Sequence, residues 1–441
     1  MARAKKEAAL TPEERLRAAL VPDWEWPYKL PGNWCWTYLT KAAECLDNFR
    51  KPINATERAG RNGNVPYYGA TGQVGWIDDF LTDEDLVLLG EDGAPFLDLI
   101  KDKAYLITGK AWVNNHAHIL RSLFGDTGNR YLLHYLNSFN YAGYVNGTTR
   151  LKLTQASMDT IPIPLPPLAE QQRIVDRIES LFAKLDEAKE KAQAVVDSFE
   201  TRKAAILHKA FTGELTAKWR EEHGVRMESW EVRTLDSVCS SIFDGDHMPP
   251  PKAESGIPFL VISNVNTGHL TFENTRFVPQ EYYDTLSDTR KPQLGDVLYT
   301  LVGSFGIPVV VNSKRPFCFQ RHMALLRPID VSPQFLWYIL QTPEMYDKAS
   351  SIATGTAQLT VPIKGLRAMT IPRPNIAEQV EIVRILDGFF AREQSAKEAA
   401  EAVLDQIDLM KKSILARAFR GELGTNDPNE ESAVELLKQL I

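Results

Sequence analysis

Four cysteines in 441 residues, Cys35, Cys45, Cys239 and Cys318, are too scattered for a zinc site or a disulfide scaffold. No apolar run is long enough to span a bilayer, and the early lysines of MARAKKEAALTPEER have no apolar segment behind them, which excludes a secretory signal. These absences predict a cytoplasmic protein with reduced thiols. Basic charge is also in short supply. Fifty Lys and Arg stand against 57 Asp and Glu, for a net charge of -7. Binders of nucleic acid usually present a basic face, so taken alone this balance argues against nucleic acid, an objection that only a local patch or a basic partner could answer.

Catalytic signatures are missing as well. Gly109-Lys110 is followed by Ala111 and lacks the upstream glycine of a phosphate loop. The Asp/Asn-Pro-Pro-aromatic tetrad with which adenine methyltransferases grip a flipped base does not occur, and the PPPKA run after Met248 has the wrong flanks. His116, His118 and His247 have no neighbours at metal-ligand spacing. Asp244, Asp246 and His247 suggest a metal site or a dyad, but an aspartate capping its own loop is the blander and better reading. No catalytic residue and no metal ligand is assigned. A self-sufficient methyltransferase or nuclease is therefore disfavoured.

What the chain does contain is a repeat. Residues 161–215 align without a gap on 369–423, and 25 of 55 positions are identical. The shared residues include Ala169-Glu170-Gln171 with Ala377-Glu378-Gln379 and Gly213-Glu214-Leu215 with Gly421-Glu422-Leu423. After a Pro-rich lead that cannot be helical, apolar or small residues recur in steps of four and three: Ile174, Ile178, Leu181, Leu185, Ala188, Ala192, Val195 and Phe199. The second copy gives Ile382, Leu386, Phe389, Glu393, Ala396, Ala400, Val403 and Ile407, with Glu393 the polar exception. This is a coiled-coil seam. It predicts two helices of roughly 44 residues, each on the order of 65 Å long, each the other's partner and each ending near a glycine.

The repeat extends faintly outside the helices. Gly147-Thr148 and Leu151 match Gly355-Thr356 and Leu359, and NNHAHILR from Asn114 resembles QRHMALLR from Gln320. The intervening parts mix short apolar runs with Gly, Asn and Pro turns, which predicts two α+β domains. Strand-like PFLVISNV, DVLYTLVG and GIPVVVNS and helical NRYLLHYLNS and PQFLWYILQT carry that reading.

The polar and aromatic residues of these loops suit base reading, because Asn and Gln pair bidentately with adenine and Arg with guanine. The first domain offers Tyr67, Tyr68, Gln73, Asn114, Asn115, His116 and Arg150. The second offers His247, Asn264, Asn266, Gln320, Arg321 and Gln358. For each one singly a structural role is at least as good an account. Tyr67 and Tyr68 suit a core equally well. His116 and His322 recur in both halves, which fits shared architecture; Arg121 and Arg327 recur too and suit a phosphate contact or a strand-end salt bridge equally well.

Two divergent domains alternating with two near-identical helices, each entered through Ala-Glu-Gln and left through Ala-Phe-x-Gly-Glu-Leu, resemble the specificity subunit of a type I restriction–modification system. In the second domain DGDHMPPP, GIPFLVISNV and GDVLYTLVGSFG resemble that family's target-recognition domains, and VPYYGATGQVGWIDDF in the first resembles another class of them. The resemblance implies an N-terminal helical arm (1–26), recognition domains at 27–160 and 221–368, helical spacers at 161–220 and 369–423, and an amphipathic tail at 424–441. It implies antiparallel spacer helices, termini that meet, and no catalysis in this chain. It further implies that each domain reads half of a bipartite duplex DNA target. Two modification subunits would bring S-adenosylmethionine and methylate adenine, and two restriction subunits would use ATP and Mg. A coiled-coil scaffold that binds only proteins is the alternative.

Overall fold

The computed structural model describes residues 11–245 and 250–441. His247, offered above as a DNA contact, and residues 1–10 of the arm lie outside the described residues. The chain divides into two compact units, Met1–Gln193 with Glu401–Ile441, and Ala194–Ala400.

In the first unit, strands Ala43–Cys45, Ala117–Ser122, Leu86–Gly90 and Ala104–Ile107 form an antiparallel sheet in that spatial order. Leu86–Gly90 is buried at all five positions, as expected of a near-continuous apolar run. A second sheet orders Gly72–Ile77, Val65–Gly69, Lys110–Val113 and Thr82–Asp83, and Val65–Gly69 runs parallel to Lys110–Val113. The helix Gly125–Ser138 buries Tyr131, Leu132, Tyr135 and Leu136 in the core.

The second unit repeats this plan. Cys239–Asp244, Met323–Pro328, Val297–Thr300 and Pro308–Val310 form the antiparallel sheet. Arg276–Val278, Ile257–Leu260 and Cys318–Phe319 form the smaller one, with Ile257–Leu260 parallel to Cys318–Phe319. In each unit a short antiparallel ladder leads directly into a long helix: Cys35–Tyr38 on Pro162–Leu165, and Glu231–Thr234 on Thr370–Arg373. The α+β class is as read from the sequence, and the shared strand order shows that the halves diverged in sequence while keeping one topology.

The Ala-Glu-Gln motif now has a physical explanation. Gln171 and Gln379, both fully buried, donate from Nε2 to the carbonyls of Pro166 and Pro374, which fixes the turn into each helix. Glu170 accepts from Thr425 Oγ1 at 2.6 Å and from Arg173 Nε at 3.0 Å. Glu378 accepts from Thr216 Oγ1 at 2.7 Å, Arg220 Nη1 at 2.6 Å and Trp230 Nε1 at 2.9 Å. So the segment that follows one long helix is clasped by the glutamate that begins the other. The Ala-Phe exit motif does matching work. Phe419 packs edge-on against Tyr131 and Tyr135, and Phe211 against Phe335.

The first long helix differs from expectation. It runs as Leu168–Asp197 and Phe199–Phe211, interrupted at Ser198, whereas the second is continuous over Ile376–Ala418. Ser198 Oγ bonds back to the Ala194 carbonyl, and Arg202 reaches both that hydroxyl and, at 3.2 Å, the Val195 carbonyl. A hydroxyl competing for the helix's own carbonyls bends or breaks it. The aligned residues Gln406 and Met410 cannot do this.

The pairing is antiparallel within each unit, since rising numbers on one helix meet falling numbers on the other. In the first, Asp186 meets Lys411 at 2.5 Å and Lys189 meets Asp408 at 3.7 Å. In the second, Phe199 lies under Lys397 and Arg202 meets Glu393. The expected seam needs correction at two positions. Ala396 and Val403 are exposed, and the inward line passes instead through Lys397, Ala400, Leu404 and Ile407. A straight helix drifts about 20° per heptad from a 3.5 repeat, which brings the next residue inward. Ile174, Ile178, Ile382 and Leu386 are fully buried but belong to the domain cores, while Leu181, Leu185, Ala188 and Phe389 are half-buried and Ala192 is buried.

The ends of the described chain meet in the first unit. Thr11 caps Pro12–Ala19 with a capping box that Glu14 completes, and Arg15 Nη1 donates to the Ile441 carbonyl at 2.6 Å. Ala19, Cys35, Leu165, Ala433 and Leu437 form the cluster beneath.

Candidate nucleic-acid interface

Several of the proposed base readers are structural. Tyr67 is 1% exposed, with its ring beneath Arg58, and belongs to the core. Asn264 is 3% exposed and spends its amide on the Val261 N–H and the Glu273 carbonyl, 3.0 and 2.9 Å away. Asn114 accepts from the His116 N–H at 2.8 Å and so shapes its own turn. Side-chain type suited all three to base edges, but burial takes them out of reach. Tyr68 is half-buried against Tyr105, and burial pushes its hydroxyl above the ordinary pKa. Arg121 lies against Glu44 and Glu84, and Arg327 against Asp296, so both are strand-end ion pairs.

The remaining candidates are on the surface. In the first domain these are Gln73, which donates to the Gly75 carbonyl, Asn115 at the tip of its turn, and Arg150. Asp92 Oδ1 lies 2.7 Å from both Arg150 Nη2 and His116 Nδ1, which gathers two of the predicted loops at one edge. In the second, Asn266, Arg321 and Gln358 are exposed and Gln320 is half-buried. The Gln320 N–H donates to the Leu260 carbonyl, as Asn114 does to that of Tyr68, so the two turns are equivalent.

The faint Gly-Thr match is a shared platform. Gly147 and Gly355 adopt φ of +109° and +113°, and a Cβ on either would lie 2.4 or 2.5 Å from the carbonyl oxygen three residues on, that of Arg150 or Gln358. The N–H groups of Gly93 and Gly303 then donate at 3.0 Å to the carbonyls of Leu151 and Leu359. Arg150 lies over Gly93 and Gln358 over Gly303. The same backbone thus presents an arginine in one half and a glutamine in the other.

Other surface features escaped the sequence reading. Val74 and Trp76, alternate residues of one strand, are 50% and 57% exposed, and exposed Phe80 carries Lys110 over its ring at 4.5 Å. The period-two spacing of Val74 and Trp76 was the available signal. Cys45, Asp47 and His118 gather within 4.8 Å. This group is a structural tie: His118 engages Asp47 Oδ2 and the Leu153 carbonyl, and Asp47 also holds the Ile119 N–H and Arg50.

The model of the type I restriction modification DNA specificity domain matches residues 46–196 and 227–404, and the chain belongs to that family. It is 27% identical over 336 residues to the Type I restriction enzyme EcoKI specificity subunit of Escherichia coli (strain K12), covering 70% of each chain. It is 26% identical over 373 residues to the putative specificity subunit S.HindORF215P of Haemophilus influenzae, covering 83% of this chain and 90% of that one. The HsdS subunit from Thermoanaerobacter tengcongensis shares the fold at TM-score 0.60 and 21% identity, over 90% of this chain and all of that one. A chain from a structure describing assembly and conformational transition of a type I R-M system matches at TM-score 0.64 with the same identity and coverage. Among the described residues no helix is long and apolar enough to cross a membrane.

Proposed function

We propose that this chain is the non-catalytic specificity subunit of a type I restriction–modification complex and that its two domains read unlike halves of a bipartite target. The observation that carries the asymmetry is the shared platform bearing Arg150 in one half and Gln358 in the other. Arginine suits guanine and glutamine suits adenine. The helices act as the spacer and as the docking surface for two modification subunits, which supply S-adenosylmethionine and flip the target adenine. Two restriction subunits with ATP and Mg complete the assembly. A net charge of -7 leaves this chain a weak DNA binder by itself, with the partners supplying much of the phosphate contact that dominates affinity.

Co-expression with the modification subunit, followed by sequencing of host DNA for N6-methyladenine, tests this. The expected motif has two different short halves around a fixed gap. A palindrome overturns the asymmetry, and a stable complex that leaves DNA unmethylated favours the scaffold reading. Arg150→Gln should change one half-site only, whereas a uniform fall in methylation at an unchanged motif would make Arg150 a phosphate or structural residue.

A further inference from the structure

The kinship of the two helices, with 25 of 55 positions of the repeat identical, creates a problem of partner choice. Each resembles the other so closely that the matching helix of a second copy is a competing partner. Antiparallel pairing of a helix with its own copy would be isologous, with every contact made twice. Something must favour the unlike helix of the same chain.

The other polar contacts of the spacer discriminate only weakly. Asp186 pairs with Lys411 and Lys189 with Asp408. At the offset of 208, the equivalents of Lys411 and Asp408 in the first helix are Lys203 and Glu200. A first helix paired with its copy would therefore keep both attractions, as Asp186–Lys203 and Lys189–Glu200, whereas a second helix paired with its copy would keep Lys397–Asp408 and set Lys411 against the neutral Gln394.

One pair behaves differently. Arg202 Nε donates to Glu393 Oε2 at 2.7 Å, with side chains only 34% and 21% exposed. The equivalents of Glu393 and Arg202 in the other half are Leu185 and Met410, which line one open hollow of about 290 Å³ together with Leu181 and Ile414. Like-with-like pairing would place Arg202 against Leu185 twice in one assembly, and Glu393 against Met410 twice in the other. Each arrangement leaves two charges half-buried against apolar side chains, which is costly. Pairing within the chain satisfies both charges and sets the apolar residues against each other.

We infer that the Arg202–Glu393 pair is a partner-selection device, by which each long helix prefers the unlike helix of its own chain to the like helix of a second copy. Single polar contacts in coiled coils set partner and register in this way, by penalising the wrong pairing rather than by strengthening the right one. The effect is to keep two different recognition domains on one spacer.

The test uses two differently tagged copies of the full chain, co-expressed, with the doubly tagged fraction measured by tandem purification and mass photometry. Its readout requires neither DNA binding nor methylation, so it stands or falls separately from the proposed function. Arg202→Met with Glu393→Leu copies the apolar pair into the second half and should raise the doubly tagged fraction about tenfold, the factor given by ~1.4 kcal/mol of lost discrimination. The reversed pair, Arg202→Glu with Glu393→Arg, should stay at the wild-type level. Leu185→Glu with Met410→Arg leaves the native pair intact, adds matching charges at the exposed hollow and should also raise the fraction. If neither raising variant exceeds wild type, or if the reversed pair rises as far as the apolar one, the inference is wrong.

Discussion

Glu378 shows how much one repeated residue can hold. It is fully buried, and it satisfies an Arg220 guanidinium whose side chain is 9% exposed. Glu378→Ala leaves that charge buried and unpaired, so a loss of about 3–5 kcal/mol is expected in urea unfolding. Glu170→Ala should lose less, because the more exposed Arg173 keeps Glu430 at 2.7 Å; equal losses would refute this ranking. A second expectation concerns acid. Burial alone would raise the carboxyls of Asp47 and Glu91, but His118 with Arg50, and Arg50 with Lys152, outweigh it and hold them below the ordinary 3.8 and 4.5. A lowered folded pKa means stability present above the ordinary value and lost as pH falls. Thermal unfolding of Asp47→Asn should therefore lose less stability than wild type on acidification below about pH 4. At this scale the sequence was half legible. Ala-Glu-Gln stood out as repeated, yet the partners of its glutamates lie 162 and 255 residues away. Tyr67 and Asn264 had the right chemistry for bases, but no local pattern revealed that they face inward.

The helix ends are where local rules and packing coincide. Gly213 and Gly421 take φ of +85° and +72° beyond their helices, as the glycine positions predicted. A Cβ on Gly421 would meet Pro31 Cγ at 2.4 Å, and one on Gly213 would meet the Met227 sulfur at 2.6 Å. Gly421→Ala should cost more than the roughly 1–2 kcal/mol of a left-handed alanine, since the proline ring cannot yield. Gly213→Ala should cost less than Gly421→Ala because methionine repacks. Denaturation midpoints of the two variants check the order. The long helices were legible because their apolar period persists for many turns. The interruption at Ser198 was not, because it depends on which carbonyl a hydroxyl finds. The phase slip to Lys397 and Leu404 escaped because lysine is counted as polar, although its ammonium lies over the Phe199 ring at 4.9 Å.

For the whole molecule, the spacer reading makes a mechanical prediction. Inserting seven residues into both long helices, between Gln193 and Ala194 and between Ala400 and Glu401, preserves the seam and adds about 10 Å. The gap in the methylated motif should lengthen by about three base pairs at 3.4 Å each with both half-sites unchanged; altered half-sites would argue against independent domains. The two-domain plan was legible from the repeat, but the common strand order was not, since strand pairing depends on contacts between diverged segments. The division of the chain also imposes an order in time. The second unit is one continuous segment, whereas the first needs residues 401–441 to cover Ile174, Val175 and Ile178 with Leu415, Ala418 and Phe419. On the ribosome the first domain is therefore the earliest to be made and the last to be finished. It waits with an open apolar flank while the whole second unit is synthesised and folds.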